Sequence, residues 1–397
     1  MKVLTFGCRL NAFESVLIKK LGTDIDDNVI VVNTCAVTGE AERQCRQAIR
    51  KASRDNPGSK IVVTGCAAQL HPEIYASMPE VAKVLGNREK LEKDSFLSDK
   101  KINVSNIWDA RFDLPVLSDF EGRSRAFLQI QQGCNHRCSF CVVPMARGKN
   151  MGLLPEKIIK QAREFVENGF SELVLTGVDI VSYPYGFTAL VDKIIREVPD
   201  LKRLRFGSLD PILNDDFIDL VAKYDRIMPH FHLSIQAGSD TILKRMGRRH
   251  KRKSVIDFAE KLRIQRPGAT LGSDFITGFP TETETDFNQT MDLVERAGLT
   301  HLHVFPYSIR PGTPSAKMPQ IDIPIRKERA KKLRDLGHKK YESLLNGMVG
   351  KEVSVLIEKN GVGLSENNLK VRTAFTDQTG QSVRVKIKER MKDELVG

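Results

Sequence analysis

The sequence predicts an α/β protein made of three successive units, and three observations support this fold class. Short β-branched runs alternate with helical patterns over residues 1–100, as expected of a parallel sheet. The same alternation returns over residues 125–346 with six candidate strands. From residue 347 to 397, short alternating strands are separated by turns that contain Gly and Asn. We therefore expect a sheet domain, a barrel-like domain and a small β-domain, in that order.

The first unit is predicted to be a Rossmann-like parallel sheet. It has three candidate strands, and each precedes a helical pattern and ends in a cysteine: VLTFGC (3–8), VIVVNTC (29–35) and IVVTGC (61–66). The carboxyl ends of the strands in an open parallel sheet share one edge, where ligands bind. We therefore expect Cys8, Cys35 and Cys66 to lie together in spite of their separation along the chain.

The second unit is predicted to be a partial barrel. Its candidate strands lie at 126–132, 172–178, 203–208, 230–236, 270–278 and 301–307. Six βα units are fewer than the eight that close a TIM barrel, so we expect an open one. The polar, irregular residues 101–124 are predicted to be a linker. Residues 347–397 are predicted to form a small antiparallel β-barrel, similar to an OB-like nucleic-acid module.

The charge of the chain favours a polyanionic partner. The formal net charge is +12. Residues 244–253 contain seven Lys or Arg, and residues 326–340 contain eight against two acids. Either run alone is also typical of a solvated helix face. Together with a basic tail they indicate nucleic acid, because neutralising phosphates supplies most of non-specific affinity.

The chain has no run of eighteen apolar residues, and its first residues lack the apolar core of a secretory signal. We therefore expect no membrane span and a cytoplasmic location. Seven cysteines, an odd number, then favour metal binding or catalysis over disulfides. Cys45 falls within a helical pattern between charged residues and is interpreted as a bystander thiol.

The segment GCNHRCSFC (133–141) carries the sharpest chemical signal. Cys134, Cys138 and Cys141 form a C-x3-C-x2-C pattern directly after the first barrel strand. Thiolates are the usual ligands of Fe–S clusters, and three ligands leave one iron open to a substrate. The alternative is a zinc knuckle with His136 as its fourth ligand. The loop position at the carboxyl end of a barrel strand, where active sites are built, favours the cluster.

These residues resemble the radical S-adenosylmethionine superfamily and, within it, the methylthiotransferases. The cysteine loop, with Phe140 before its third cysteine, carries the first resemblance. The second covers nearly the whole chain in the order of the family, with GCRLN, NTCAVT, GCAAQ, FCVVPMARG, LTGVDI, HLSIQAGS, ITGFPTETE and HLHVFPYSIRPGTP. The segments GCRLN, LTGVDI and LSIQAGSDTILKRMGRRH are most similar to the branch that acts on N6-threonylcarbamoyladenosine in tRNA. Met145 and residues 149–152 depart from the family pattern beside the cysteine loop.

The resemblance implies two [4Fe–4S] clusters and S-adenosylmethionine as cofactors. Cys134, Cys138 and Cys141 would be the catalytic set, holding the cluster that binds S-adenosylmethionine and cleaves it reductively. The set of Cys8, Cys35 and Cys66 would hold an auxiliary cluster that carries or delivers sulfur. Contacts with S-adenosylmethionine are expected from residues at strand ends: Thr176, Gly177, Ser234, Gln236, Ile276 and Gly278. The polar members of this group are equally compatible with ordinary hydrogen-bonded barrel residues.

The implied substrate is the anticodon stem-loop of tRNA, where sulfur insertion at C2 of the adenine and methylation would give the 2-methylthio derivative. RNA contacts are expected from the C-terminal unit, which resembles a TRAM domain, and from the basic run: Lys244, Arg245, Arg248, Arg249, Lys251 and Arg252. The resemblance also implies a monomer and an electron donor such as flavodoxin or ferredoxin, and it leaves the sulfur donor open. Two alternatives remain. One is the same chemistry on isopentenyladenosine in tRNA or on an aspartate of a ribosomal protein, and the other is a non-catalytic RNA-binding protein with structural metal sites.

Overall fold

The fold is taken from a computed structural model of the chain. It describes residues 1–22, 25, 28–117, 120 and 124–397. Five positions of the predicted linker, 118–119 and 121–123, lie outside the described residues.

The N-terminal unit is the expected parallel sheet, and its strands are neighbours in chain order. They are β1 (Lys2–Thr5), β2 (Val29–Thr34), β3 (Lys60–Gly65), β4 (Val81–Leu85) and β5 (Ile102–Asn103). The order shows no reversal, unlike the doubly wound sheets that bind dinucleotides. Alternate residues of β2 enter two separate apolar clusters, so the sheet is covered on both faces. Because β5 belongs to this sheet, the N-terminal unit extends beyond residue 100 into the range predicted as linker.

Five helices accompany this sheet: α1 (Arg9–Leu21), α2 (Gly39–Asp55), α3 (Cys66–Leu70), α4 (Pro72–Ala76) and α5 (Lys93–Leu97). Helix α2 begins where the Thr38 hydroxyl accepts a hydrogen bond from the N–H of Ala41 at 3.1 Å. Helix α1 has a second partner. Its Phe13 and Leu17 are buried in the core of the barrel, which fixes the N-terminal unit against the central one.

The central unit is the predicted open barrel of six parallel βα units. Its strands are β6 (Arg125–Gln129), β7 (Gln131–Gln132), β8 (Met151–Gly152), β9 (Glu172–Thr176), β10 (Arg203–Phe206), β11 (Ser208–Leu209), β12 (His230–Gln236), β13 (Thr270–Thr277) and β14 (His301–Pro306). The strands form a parallel sheet of order β10-β9-β6 and a second parallel sheet of order β11-β12-β13-β14. The strand of the third βα unit therefore divides at Gly207, so that β10 belongs to the first sheet and β11 to the second. The short strands β7 and β8 pair with each other in antiparallel orientation.

Eight helices surround or extend the barrel: α6 (Val143–Arg147), α7 (Pro155–Glu167), α8 (Phe187–Glu197), α9 (Asp215–Lys223), α10 (Asp240–Met246), α11 (Arg252–Gln265), α12 (Glu284–Arg296) and α13 (Ile323–Asn346). Short 3₁₀ helices lie at Glu89–Leu91, Ile107–Asp109, Ile180–Ser182, Pro314–Lys317 and Lys359–Gly361. The barrel core is built from apolar residues of strands and helices that are almost completely buried. Within the described residues, no helix combines the length and apolar composition that crossing a lipid bilayer requires.

The C-terminal unit is a six-stranded sheet rather than a wholly antiparallel one. Its strands are β15 (Glu352–Ile357), β16 (Val362–Ser365), β17 (Lys370–Arg372), β18 (Ser382–Lys386), β19 (Glu389–Met391) and β20 (Glu394–Val396), in the order β18-β15-β16-β17-β20-β19. The prediction of an antiparallel barrel is wrong for one pair, because β20 returns beside β17 in the same direction. The sequence pattern of alternating residues is the same for either direction of pairing.

The C-terminal unit packs against the amino-terminal ends of the barrel strands. The Ser171 hydroxyl, just before β9, donates to the Gly380 carbonyl at 2.9 Å. At the start of β13, the Thr270 hydroxyl donates to the Asn367 carbonyl at 3.1 Å. Arg203, the first residue of β10, donates to carbonyls of the C-terminal sheet at 3.2 and 3.1 Å. The unit therefore lies at the end of the barrel opposite to the cysteine loop.

Candidate functional site

The three cysteines of the barrel loop lie at the carboxyl end of the first barrel strand. Cys134, Cys138 and Cys141 follow β7 and precede α6, so one loop carries all three thiols. The backbone N–H groups of His136 and Val143 donate to the sulfurs of Cys134 and Cys141, at 3.3 and 3.4 Å. Such donors stabilise a thiolate, which is the form in which cysteine binds a metal.

Burial controls the protonation of this set. It raises the pKa of the Cys134 thiol to about 11 and that of Cys141 to about 12. Both thiols therefore keep their protons at neutral pH unless a metal displaces them. Three thiols on one loop, with hydrogen-bond donors already directed at their sulfurs, fit an Fe–S cluster that has one iron without a protein ligand.

The N-terminal cysteines come together at the carboxyl edge of the parallel sheet. Cys8 immediately precedes α1, Cys35 follows β2 and Cys66 begins α3. Burial raises the pKa of Cys35 to about 12; the backbone of Val37 opposes the rise, and the charges of Cys66 and Cys8 add to it. This second set of three thiols also fits a cluster with one open iron.

Two glycines make this close approach possible. Gly7 has φ +94°, and a Cβ there would lie 2.8 Å from the sulfur of Cys35. Gly65 has φ +96°, and a Cβ there would lie 2.4 Å from the carbonyl oxygen of Thr34. Glycine alone tolerates both the left-handed backbone and the lack of space. The GC pair in two of the N-terminal motifs is therefore a geometric requirement of the cysteine site.

A buried network joins the two cysteine sets. Arg147, at the end of α6, is 2% exposed and reaches into the N-terminal unit. Its two Nη atoms lie 2.8 and 2.9 Å from the carboxylate oxygens of Glu14, and Nη2 donates to Oδ1 of Asn11 at 2.6 Å. Its Nε donates to the sulfur of Cys66 at 3.3 Å. One arginine from the barrel loop thereby contacts a cysteine of the other set.

The same network contains a second buried cation. Lys90 is 0% exposed and donates to Glu14 at 2.6 Å and to Oδ1 of Asn87 at 2.7 Å. Burial opposes ionisation of Glu14, but the charges of Arg147 and Lys90 outweigh it and lower the pKa of Glu14 to about 2. Sequence reasoning did not single out these residues. A glutamate among the apolar positions of α1 was the one available signal.

The residues expected to contact S-adenosylmethionine divide into two groups. Thr176 and Gly278 are engaged by the protein: the Thr176 hydroxyl donates to the Val174 carbonyl at 3.0 Å, and the Gly278 N–H donates to Glu282 at 2.8 Å. Gly177 packs closely, since a Cβ there would lie 2.6 Å from Ile180. These contacts match the ordinary structural roles left open at the sequence level.

The second group lines the inner side of the sheet. Ser234, Gln236 and Ile276 are partly exposed. Among the described residues, the side chains of Ser234 and Gln236 have no hydrogen-bond partner. Gln236 also has φ +78° at an irregular step between β12 and β13. Such a backbone is strained for a residue other than glycine and is a feature of ligand sites.

The basic run wraps around the mouth of the barrel, and most of its arginines are held by the protein. Arg248 donates to the Ser234 carbonyl at 2.6 Å and to the sulfur of Cys138 at 3.6 Å. Arg245 donates to Thr281. Arg249 lies 3.4 Å from Asp210, and Arg252 pairs with Asp292 and donates to the Gly238 carbonyl. Lys244 and Lys251 are exposed, and within the described part of the chain neither forms an ion pair with an acid.

Polar groups of the barrel interior face the N-terminal unit. His232 and His303 lie 3.0 and 3.1 Å from one carboxylate oxygen of Asp274. Arg9, the residue after Cys8, donates weakly from Nη1 to the Phe206 carbonyl at 3.4 Å. Desolvation lowers the pKa of Arg9, as does the charge of Arg125, whereas the charges of Glu172 and Asp274 raise it. The Arg9 guanidinium therefore lies at the carboxyl end of β10, within electrostatic reach of Asp274.

Two further candidate groups are His136 and Cys45. His136 lies 2.6 Å from Asp179, and the ligand atoms of Cys134, His136 and Asp179 all lie within 4.8 Å of one another. His136 therefore stays compatible with the zinc alternative as well as with an ordinary polar role. Cys45 is buried in α2, and burial raises its pKa.

Two family models match the chain. The model of the radical SAM superfamily matches residues 128–294 and includes the barrel cysteine loop. The model of an uncharacterized protein family, UPF0004, matches residues 1–86 and includes the three N-terminal cysteines. Among solved structures, the radical S-adenosylmethionine methyltransferase TsrM from Kitasatospora setae is similar, with a TM-score of 0.57 and 14% identity over 78% of this chain and 69% of that chain. This likeness supports the fold.

Curated relatives cover nearly the whole chain. The threonylcarbamoyladenosine tRNA methylthiotransferase MtaB of Rickettsia prowazekii is 47% identical over 94% of this chain and 90% of its own. The protein of the same name from Bacillus subtilis is 37% identical over 96% and 92%. The tRNA-2-methylthio-N(6)-dimethylallyladenosine synthase of Ruegeria pomeroyi is 34% identical over 100% and 98%. The chain belongs to the family of radical S-adenosylmethionine tRNA methylthiotransferases.

Proposed function

We propose that this protein converts N6-threonylcarbamoyladenosine, next to the anticodon of tRNA, to its 2-methylthio derivative. The observation that carries the proposal is the pair of three-thiol sets, which Arg147 links through its contact with Cys66. The 47% identical relative is named for this reaction. Neither a structural zinc site nor simple RNA binding requires two such sets.

The cofactors of the proposed reaction are S-adenosylmethionine and two [4Fe–4S] clusters. Cys134, Cys138 and Cys141 hold the cluster that binds S-adenosylmethionine, and Cys8, Cys35 and Cys66 hold the auxiliary one. When bound, these groups supply the electron, the radical, the sulfur and the methyl group. The C2–H bond of adenine has no useful acidity, so radical chemistry is the physically reasonable route. The protein positions the cofactors and keeps water away.

The residues of the chain then act by positioning. The N–H groups of His136 and Val143 and the guanidinium of Arg248 donate to the sulfurs of the barrel loop. The side chains of Ser234 and Gln236, which have no hydrogen-bond partner among the described residues, are available to the polar groups of S-adenosylmethionine. Helix α1 holds Cys8 and Arg9 over the open side of the barrel.

Arg9 favours the threonylcarbamoyl substrate over the isopentenyl one. The threonylcarbamoyl group ends in a carboxylate, whereas an isopentenyl group is wholly apolar. Within the described residues Arg9 forms no ion pair, and His232 and His303 contact Asp274, whose charge acts on Arg9. A guanidinium with free donors is well suited to a carboxylate, which it can bind through two parallel hydrogen bonds.

The wider setting is proposed as follows. The exposed Lys244 and Lys251 and the C-terminal unit contact the RNA backbone, and the target base is turned out of the loop toward the mouth of the barrel. The protein works as a cytoplasmic monomer with an electron donor such as flavodoxin or ferredoxin. The domain limits stay as predicted, with the addition of β5 to the first unit.

The test is a comparison of substrates with the anaerobically reconstituted enzyme. Synthetic anticodon stem-loops carry adenosine, isopentenyladenosine, threonylcarbamoyladenosine or the methyl ester of the last, and nucleosides are analysed by mass spectrometry. We expect 2-methylthio product from the threonylcarbamoyl substrate and little from the other three. A product from isopentenyladenosine alone, or from none of the RNAs, would contradict the proposal.

The variant Arg9→Gln sharpens the test. Loss of a charge-assisted hydrogen bond of about 1.5–3 kcal/mol corresponds to about a 10- to 100-fold rise in KM for the threonylcarbamoyl RNA. The methyl ester should show little further loss in this variant, because it lacks the carboxylate charge. Arg54→Gln, at an exposed arginine of α2, is the matched control. Equal losses for the acid and the ester would exclude a role of Arg9 in carboxylate binding.

A further inference from the structure

Arg147 belongs to the barrel by sequence and to the N-terminal cysteine site by contact. It stands six residues after Cys141, at the end of the short helix α6. Its side chain is almost completely buried and donates from Nε to the sulfur of Cys66 at 3.3 Å. Asn87 also approaches this sulfur, at 3.8 Å, and donates to the carbonyl of Ala146 at 2.7 Å. Both contacts of Cys66 therefore depend on the segment that follows the barrel cysteine loop.

The charges of this network do not balance within the protein. Arg147 and Lys90 are cations, and among the described residues Glu14 is the one carboxylate that contacts them. The exposed fractions of all three side chains are 2% or less. A buried charge is costly unless a charge of opposite sign compensates it. Glu14 contacts both cations, through two hydrogen bonds from Arg147 and one from Lys90. One positive charge is therefore in excess, and the further neighbour of Arg147 with anionic chemistry is the thiol of Cys66.

We propose that Arg147 is a positioning residue for the auxiliary cluster, which rests on the cluster assignment of the proposed function. It donates a hydrogen bond to the Cys66 ligand and supplies the buried positive charge that compensates the anionic cluster. A donor and a cation next to a ligand sulfur stabilise the more negative, reduced state, and so they raise the reduction potential. Because Arg147 is part of the barrel loop, loading of the auxiliary cluster also strengthens the contact between the two units.

A merely structural arginine predicts different behaviour. If Arg147 only held the two units together through Glu14, its replacement would destabilise the protein with and without the cluster alike. In the proposed role the loss of stability depends on the cluster. Removing Arg147 costs the metal-free protein the hydrogen bonds to Glu14 and Asn11, but it also removes the positive charge in excess. The loaded protein loses, in addition, the charge that compensates the cluster, and its stability therefore falls further.

The experiment uses full-length protein in which Cys134, Cys138 and Cys141 are replaced by Ala, so that the auxiliary cluster is the one present. Arg147→Gln and Arg147→Lys are compared with the parent, and Arg248→Gln is the matched control because Arg248 contacts the other cysteine set. Iron content is measured first, then the midpoint potential by redox titration, then the melting temperature of the metal-free and loaded forms.

We expect a lower potential in Arg147→Gln, a smaller decrease in Arg147→Lys, which keeps the charge, and no change in Arg248→Gln. The melting temperature of Arg147→Gln should fall further below that of the parent in the loaded form than in the metal-free form. An unchanged potential in a loaded Arg147→Gln protein would overturn the inference, as would an equal loss of stability in both forms. Absence of iron from the parent itself would instead overturn the cluster assignment.

Discussion

Both cysteine sets consist of three thiols, but the fold positions the two sets in different ways. The barrel set lies within nine residues of one loop, and two of its sulfurs accept hydrogen bonds from the backbone of that same loop. The N-terminal set is assembled from the ends of three strands, and Cys66 depends on side chains from distant segments. A local motif needs little of the surrounding fold, whereas an assembled one requires the sheet, its glycines and a partner domain. The N-terminal set should therefore be the more fragile of the two.

The largest expected effect comes from removing one set at a time. Replacing Cys134, Cys138 and Cys141 by Ala should lower iron from about eight to about four per chain and abolish reductive cleavage of S-adenosylmethionine. The same change at Cys8, Cys35 and Cys66 should also remove about four irons but leave the cleavage measurable. Iron and sulfide analysis, with chromatography of 5′-deoxyadenosine, checks both. Zinc in place of iron, or cleavage lost in both variants, would refute this separation of roles.

The next effect concerns the ion network beneath the assembled set. Glu14→Gln leaves Arg147 and Lys90 buried together without a carboxylate, which should cost about 3–5 kcal/mol in the free energy of unfolding. The wild-type protein should also be sensitive to acid. Because the pKa of Glu14 is lowered from 4.5 to about 2, its contribution is complete above pH 4.5 and is lost as the pH falls toward 2.

Unfolding in denaturant at several pH values measures both effects. The stability of wild type should decrease over this window by about 3 kcal/mol more than that of Glu14→Gln. Asp113, an exposed carboxylate paired with Lys157, provides a control in Asp113→Asn, for which we expect little change. Parallel pH curves for wild type and Glu14→Gln would show that Glu14 is not the group responsible.

The smallest effect separates backbone strain from lack of space at the assembled set. Gly65→Ala should cost about 3 kcal/mol or more, because the added Cβ would overlap the Thr34 backbone in addition to the unfavourable φ. Gly58 has a similar φ of +83° but nothing within 4 Å, so Gly58→Ala should cost about 1–2 kcal/mol. Denaturant unfolding compares the two variants. Equal costs would mean that the close approach at Gly65 can relax.

The sequence was a better guide to the strands than to the contacts between units. The strand-end positions of Cys8, Cys35 and Cys66 followed from the alternating pattern, and the structure brings these residues together. Strands β4 and β5 were not predicted, and the two residues of β5 carry no periodic signal. The pairing of β17 with β20 was predicted in the wrong direction, because both directions share one side-chain pattern.

The Arg147 network could not be predicted for a different reason. Glu14, Lys90 and Arg147 lie far apart along the chain, and each alone is an ordinary charged residue of a helix. Their significance arises from burial, which depends on how α1 packs against the barrel. Similarly, the sequence marked the basic run as an RNA surface, but it did not reveal that Arg248 and Arg252 are held by backbone carbonyls.

The attachment of the C-terminal unit at the amino-terminal ends of the barrel strands sets a length scale. The eight residues of β13 separate this unit from the cysteine end by about 26 Å. If the C-terminal unit binds RNA, as its pattern predicts, a few loop nucleotides are too short to reach both ends. The length of the barrel would then set the minimum length of RNA that can contact both ends. Shortening the stem of a substrate should therefore weaken its binding before it impairs the chemistry on the base.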